Sequence, residues 1–130
     1  MRATTARIDV TLWVAAGVCV AVTLWLSLVT VPPGHMAFQD ADKVEHAIAY
    51  LVTTLLVLLA AVWRPGGGNG PLARWWWAVL LAMVAAGALV EIVQSYVGRD
   101  AELADWIAEI VAVALAWAVF VVVRKAFEHA

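Results

Sequence analysis

Residues 75–97 read WWWAVLLAMVAAGALVEIVQSYV. This stretch is long enough to cross a bilayer, which takes about 20 mostly apolar residues in an α-helix. Its only charged residue is Glu91. A charge in hydrocarbon costs at least about 2.5–3.5 kcal/mol, so an ionisable residue within a membrane span is treated as a functional-site hypothesis. The stretch therefore predicts a membrane-spanning helix with a polar site near its end.

The composition of the whole chain favours a membrane protein. The 130 residues are 65% hydrophobic and 14% charged, and their mean hydropathy is +0.92. Soluble domains average roughly 45–50% apolar and 25% charged residues. The length predicts a single domain over residues 1–130. A net charge of −2 without a basic stripe argues against nucleic acid as a partner.

Three further stretches are apolar and long enough to span a bilayer. They are Val10–Val31, Lys43–Trp63 and Ala101–Val123. Together with Trp75–Val97 they predict an all-α fold, an integral membrane four-helix bundle. The segment Arg64–Pro71 is rich in glycine and proline, which predicts a flexible linker between the second and third helices.

The positive charges predict the orientation of the bundle. One side of the four spans carries six of them: Arg2, Arg7, Arg64, Arg74, Arg124 and Lys125. The other side carries only Lys43 and Arg99, among acidic residues. Because short cytoplasmic segments are enriched in Lys and Arg, we expect both termini in the cytoplasm, an N-in/C-in arrangement. The two acidic connections are then expected outside.

Polar residues of three helices fall at matching depths when an α-helix is counted at about 1.5 Å per residue. A shallow layer is predicted to contain His46, Gln94, Ser95 and Asp105. A deeper layer is predicted to contain Tyr50, Glu91 and Glu109. Small residues below them would let the helices approach closely: Gly87, Ala112 and Ala116. We expect a pocket that opens to the outer surface and is closed below by packed helices.

A rim of charged residues lies above both layers: Asp42, Lys43, Arg99, Asp100 and Glu102. Lys43 and Arg99 suit phosphate or carboxylate groups, but either can instead snorkel to lipid headgroups. Asp42 and Asp100 can cap the helices that they precede. The rim is therefore open to a binding interpretation and to a structural one.

The deeper residues also have structural alternatives. Tyr50 can be a core residue with a satisfied hydroxyl, and His46 can be an interhelical hydrogen-bond partner. Glu91 and Glu109 can form a buried ion-pair or proton-sharing network that fixes the helix register. A functional role for the two glutamates is favoured because a lone carboxylate at that depth is expensive.

The same residues give the chain a resemblance to the VanZ-like family of small bacterial membrane proteins, over roughly residues 40–117. The family pattern has Asp-Lys-x-x-His at a helix start, here Asp42-Lys43-Val44-Glu45-His46. It has Glu-x-x-Gln near a helix end, here Glu91-Ile92-Val93-Gln94. It then has Arg followed six residues on by Asp, here Arg99 and Asp105. Most members have Asn four residues later, where this chain has Glu109.

The resemblance implies a multi-pass protein of the bacterial inner (cytoplasmic) membrane with a role in the cell envelope. The family is named for resistance to the lipid-tailed glycopeptide teicoplanin, so antibiotic susceptibility is an expected phenotype. Membrane lipids, or a lipid-linked envelope precursor, are the partners that this role implies. The resemblance specifies neither a reaction nor a ligand.

Three functions are compatible with these residues. The first is a site that recognises a lipid-linked or envelope headgroup, with ligand-binding residues Asp42, Lys43, Tyr50, Gln94 and Arg99. The second is an acid–base enzyme acting on such a headgroup, with catalytic residues His46, Glu91, Asp105 and Glu109. The third is an ion-coupled transporter, ranked last because polar groups in the outer third alone provide no inner half-channel.

No cofactor is predicted. A divalent cation held by His46, Glu91 and Glu109 is chemically reasonable, because oxygen ligands suit a hard ion. No dedicated ligand spacing supports such a site.

Overall fold

The computed structural model of the protein describes residues 2–29, 41–64, 68–98 and 102–129. Over these residues the chain forms four long α-helices. They are α1 (Arg2–Leu28), α2 (Ala41–Ala61), α3 (Trp76–Tyr96) and α4 (Leu103–Glu128). All four are long and apolar enough to cross a membrane. The predicted all-α, four-helix fold is confirmed at this level.

Two helices extend beyond the apolar stretches that predicted them. α1 begins at Arg2 rather than Val10, and α4 continues to Glu128 rather than Val123. Hydropathy marks only the part of a helix that crosses hydrocarbon, whereas the helix itself continues until a residue breaks it. Neither extension contains glycine or proline, the residues least favourable to a helix. The predicted end of the first helix at Pro32-Pro33 lies outside the described residues.

A short hairpin joins α2 to α3. Strands β1 (Trp63–Arg64) and β2 (Gly68–Asn69) pair antiparallel. The Gly70 N–H then donates to the Val62 carbonyl at 2.9 Å. A Cβ at Gly70 would collide with the Ala61 carbonyl oxygen, so glycine is required for this close approach. The described parts of the connection are thus fixed by hydrogen bonds, which differs from the flexible linker expected from composition.

Successive helices run in opposite directions, because the start of α1 meets the residues after α2 at the Asp9–Arg64 pair, and the start of α3 meets the later part of α4 at the Trp76–Trp117 pair. Among the helices, α2 packs most extensively against α4 and α1. The carboxyl-terminal parts of α1 and α3 therefore meet the amino-terminal parts of α2 and α4. We call this the polar end, and define it by Lys43, His46, Glu91, Asp105 and Glu109. The opposite end contains an aromatic cluster. We call it the aromatic end, and define it by Trp63, Trp76, Trp117 and Phe120.

Apolar and aromatic side chains fill the aromatic end. Phe120 and Trp63 belong to a buried hydrophobic cluster with residues of α2 and α3. Trp117 stacks on Trp76, with ring centroids 4.4 Å apart, and on Phe120, with centroids 5.4 Å apart. These contacts join α3 and α4 to the hairpin that follows α2. Such aromatic pairs add about 0.5–1.5 kcal/mol beyond the area that they bury.

The outward faces of the helices are apolar. Large hydrophobic side chains are exposed on every helix, among them Trp25, Ile48, Leu89 and Val122. A water-soluble protein rarely exposes contiguous apolar patches of more than a few hundred Å². The distribution suits a bundle whose outer surface contacts lipid.

Candidate functional site

Lys43 connects α2 to α4 at the top of the polar end. Its Nζ lies 2.7 Å from Glu102 Oε2 and 3.7 Å from Asp105 Oδ1. The Lys43 side chain is 32% exposed and that of Glu102 is 53% exposed. The sequence favoured Lys43 as a contact for an anionic ligand. In the structure its ammonium already faces two carboxylates of the same chain.

His46 and Glu109 face each other one turn further into the bundle. His46 Nδ1 lies 3.7 Å from Glu109 Oε1. The two residues are 7% and 1% exposed, respectively. A separation of 3.7 Å is too long for a hydrogen bond, so the pair attracts strongly only when the imidazole is protonated. The arrangement places an acid and a base next to each other in a buried environment.

Gly87 of α3 provides the space for the Glu109 carboxylate. A Cβ at Gly87 would collide with Glu109 Oε2 and would lie 3.3 Å from Trp106 Cδ1. The Trp106 Nε1–H donates to the Val84 carbonyl of α3 at 3.1 Å. Gly87 therefore allows the close approach expected of it, although a side chain rather than a backbone occupies the space. Sequence reasoning missed Trp106, which lies about one turn before Glu109 on α4.

Glu91 lies one helical turn above Gly87 and extends the acidic cluster. Its carboxylate interacts electrostatically with Glu109, Asp105 and His46. Tyr50 of α2 is buried and interacts electrostatically with Glu91 and Glu109. The structure thus brings together the four residues predicted as catalytic, with Tyr50 beside them.

The carboxylates of Glu91 and Glu109 have few hydrogen-bond donors near them. All four of their oxygens are buried, and none makes a hydrogen bond of good geometry among the described residues, although the Glu102 backbone N–H interacts with the Glu91 carboxylate. Leaving a buried polar group unsatisfied costs about 1–3 kcal/mol, and more for a charged group. Such groups need a proton, water or a ligand to compensate that cost. The two glutamates are the strongest structural indication of a site in this chain.

A groove between α3 and α4 leads from the outer surface to this cluster. Its volume is about 320 Å³. Its lining residues are Ala88, Glu91, Ile92, Glu102, Leu103 and Trp106. Most of these side chains are apolar, and Glu91 is the lining residue that belongs to the unsatisfied pair. The groove therefore connects an apolar surface with the buried Glu91 carboxylate.

Two residues of the predicted shallow layer turn away from the cluster. Gln94 is buried, but its Nε2 donates to the Ser27 carbonyl of α1 at 2.6 Å. Ser95 is exposed and donates to the Ile92 carbonyl of its own helix at 2.6 Å. The placement of Ser95 in the layer was wrong. Position along a helix does not fix the direction in which a side chain points.

Polar contacts of α1 with α2 and with β1 were not found by sequence reasoning. Thr23 and Thr53 share a hydrogen bond of 2.9 Å between their hydroxyls. At the opposite end, Arg64 Nη1 lies 2.8 Å from Asp9 Oδ2. A threonine in an apolar run is the signal that could have found the first contact, because its hydroxyl needs a partner when it is buried.

The remaining predicted site residues lie outside the described part of the chain. These are Arg99, Asp100 and the side chain of Asp42. Among the described residues, no group of three or more His, Cys, Asp or Glu side chains is arranged to hold a metal ion.

Comparison of the chain with protein-family models, with curated proteins and with solved structures gives no match. Its function is therefore inferred from the geometry of the polar end.

Proposed function

We propose that the protein is a multi-pass membrane protein whose polar end recognises a lipid-linked or other envelope headgroup. The unsatisfied pair, Glu91 and Glu109, carries this proposal. Their buried oxygens make no hydrogen bond of good geometry among the described residues, and a ligand would supply the missing donors. The adjacent groove supports the proposal because its apolar walls suit the lipid part of such a ligand.

The proposal places the polar end at the extracytoplasmic side of a bacterial inner membrane. The charge distribution supports this N-in/C-in orientation, because the aromatic end has the larger share of Lys and Arg. A reporter that is active only outside the cytoplasm should work at residue 34 and fail at residue 67. The opposite pattern would reverse the orientation and place the site on the cytoplasmic face.

The VanZ-like sequence pattern supports an envelope role and an effect on teicoplanin susceptibility. A protein that retains an envelope headgroup would change the access of a lipid-tailed antibiotic to its target. Expression of the wild-type chain should lower teicoplanin susceptibility, whereas expression of Glu91→Gln at the same level should not. Equal susceptibility with both chains would remove the resistance part of the proposal.

Mass spectrometry of copurifying lipids tests the central claim. The wild-type chain should retain a lipid that Glu91→Gln loses, since the amide replaces a carboxylate acceptor with a mixed donor and acceptor of the same shape. Glu45→Gln is the matched control, because Glu45 is an exposed acid of α2 outside the cluster. The same lipids in all three preparations would contradict headgroup recognition.

A membrane-embedded acid–base enzyme is the second candidate. The buried His46 and Glu109, 3.7 Å apart, favour it. Purified protein incubated with extracted envelope lipids would then produce a species with an altered headgroup mass. Glu109→Gln should abolish that conversion while the substrate lipid still copurifies. Retention without any new mass in the wild type would leave binding as the function.

A further inference from the structure

The charge balance of the polar end favours a cationic ligand. Its described carboxylates are Glu91, Glu102, Asp105 and Glu109, and they face only two groups that can be positive, Lys43 and, when protonated, His46. That lysine already lies within 4 Å of two of the carboxylates. An anionic group entering between Glu91 and Glu109 would meet like charges at short range, which is destabilising. A cation would meet the opposite charge.

The lack of hydrogen bonds to the two glutamates indicates which kind of cation would bind. The unsatisfied oxygens of Glu91 and Glu109 need donors. A primary ammonium provides three N–H donors as well as a positive charge, whereas a quaternary ammonium provides charge alone. Glu109 is 1% exposed, so a ligand that only screens its charge would leave its oxygens unsatisfied. The site chemistry therefore selects a primary amine over a choline-like group.

The groove indicates how the amine arrives. Ala88, Ile92 and Leu103 give it apolar walls, while Glu91 forms part of its polar wall. One turn below Glu91, Gly87 has no side chain, and the Glu109 carboxylate therefore lies directly against α3. An amphipathic molecule could therefore keep its acyl chain in the lipid while its headgroup reaches both glutamates from the side.

We infer that the ligand is an aminolipid, whose primary ammonium enters through the groove between α3 and α4 and binds between Glu91 and Glu109. The inference rests on the proposed function and adds the ligand class and the route. The occupant is a lipid headgroup rather than a free amine, because four of the six side chains that line the path to Glu91 are apolar.

The test uses the full chain in nanodiscs with equal amounts of phosphatidylethanolamine, phosphatidylcholine and phosphatidylglycerol of identical acyl chains. Native mass spectrometry then counts the lipids that stay bound after ejection from the disc. Phosphatidylethanolamine should be enriched about tenfold over the other two, which corresponds to about 1.4 kcal/mol and is within what one hydrogen bond to a charged group contributes. Glu109→Gln should remove the enrichment, and Glu45→Gln should keep it.

A second pair of variants tests the route. Ala88→Phe fills the groove and should lower retention of phosphatidylethanolamine about tenfold, whereas Ala82→Phe on the exposed face of α3 should not. The helical content of each variant is checked by circular dichroism before its lipid retention is compared with that of wild type. Equal retention by Ala88→Phe and wild type overturns the lateral route. Displacement of the lipid by soluble ethanolamine at equal concentration overturns the choice of a lipid ligand.

The outcomes separate the inference from the function on which it rests. If phosphatidylglycerol or phosphatidylcholine is retained preferentially and Glu91→Gln loses it, the ligand is not a primary amine, but the proposed headgroup site is supported. Retention of phosphatidylethanolamine by Glu109→Gln at the wild-type level would also overturn the amine, since a neutral side chain would then suffice. No lipid retained by the wild type above the level of Glu91→Gln would contradict both.

Discussion

Phe120 and Glu109 belong to the same helix and are both 1% exposed, yet their surroundings differ. At the aromatic end, Phe120 contacts the rings of Trp63 and Trp117, and the cluster around it is apolar. At the polar end, Glu109 lies against Gly87 with neither carboxylate oxygen hydrogen-bonded among the described residues. The aromatic end surrounds its buried rings with other apolar groups, whereas the polar end leaves two buried carboxylates without hydrogen bonds among the described residues.

The difference assigns separate roles to the two ends. Buried groups with complementary neighbours stabilise a fold, whereas buried groups without partners weaken it until a ligand arrives. Functional sites commonly reduce stability in this way. The structure thus predicts that substitutions at the aromatic end lower stability without changing binding, whereas replacing a buried carboxylate at the polar end changes binding and can raise stability. The following predictions test that division, starting with the largest expected effect.

Phe120→Ala should lower the free energy of unfolding by about 3–5 kcal/mol, because it leaves a cavity beside Trp63 and Trp117. Reversible unfolding in detergent micelles measures the change. Val122→Ala, on the exposed side of the same helix, should have little effect. Lipid retention by folded Phe120→Ala should equal that of wild type. A selective loss of lipid in this variant would contradict the division between the two ends.

Glu109→Met should raise the free energy of unfolding of the ligand-free protein by about 1–3 kcal/mol, within the range for replacing buried charged groups with apolar ones. Met has nearly the length of Glu and can fit beside Gly87. The substitution removes the carboxylate beside His46. Because His46 is charged only when protonated, a neutral imidazole can remain there without a buried unpaired charge. Glu45→Met, at an exposed position, is the control. Lower stability of Glu109→Met would indicate that Glu109 is already satisfied.

Gly87→Ala should cost about 1–3 kcal/mol of stability, because the new methyl group displaces the Glu109 carboxylate. Combining it with Glu109→Ala should recover most of that cost, since the side chain that collides is then absent. Gly17→Ala is the matched control, because nothing lies within 4 Å of a Cβ at that helical position. It should leave stability unchanged or raise it by up to about 1 kcal/mol. Strict additivity of the Gly87 and Glu109 variants would contradict the contact.

The fold could be predicted from the sequence because a bilayer imposes its thickness on every span. Apolar length placed α2 and α3 within a few residues of their observed bounds. Placing Glu91 and Glu109 in one region required only the helical rise and alternating directions. What hydropathy cannot supply is the rotation of each helix. Whether Ser95 points inward or outward depends on contacts made by the whole bundle.

The partners within the polar end were harder to predict for a related reason. Counting backbone positions put His46 and Glu109 in different layers, but the long glutamate side chain spans that difference and meets the imidazole. Gln94 found its acceptor on α1, a helix that sequence reasoning had left out of the site. The Glu109–Gly87 contact forms only where a glycine on one helix faces a long side chain on another. Such pairwise complementarity has no signature within a single segment.

The smallest expected effect concerns the rim of the polar end. The Lys43–Glu102 pair is partly exposed on both sides, so its coupling energy should be about 0.2–1 kcal/mol. A double-mutant cycle with Lys43→Met and Glu102→Gln measures it, and raising the salt concentration should reduce it because solvent-exposed charges are screened. A coupling that is large and insensitive to salt would mean that the rim is closed to solvent.

The same Lys43→Met variant distinguishes two interpretations of the polar end. If Lys43 held the phosphate of a ligand, as the sequence suggested, its loss would remove a charge-assisted contact and lipid retention would fall. With the ammonium bound at Glu91 and Glu109, the substitution instead makes the site more negative and retention of an aminolipid should stay the same or rise. Because Glu102 and Asp105 already neutralise Lys43, we expect the second result. A loss of aminolipid from Lys43→Met, with Glu109→Gln unaffected, would move the binding site from the buried glutamates to the rim.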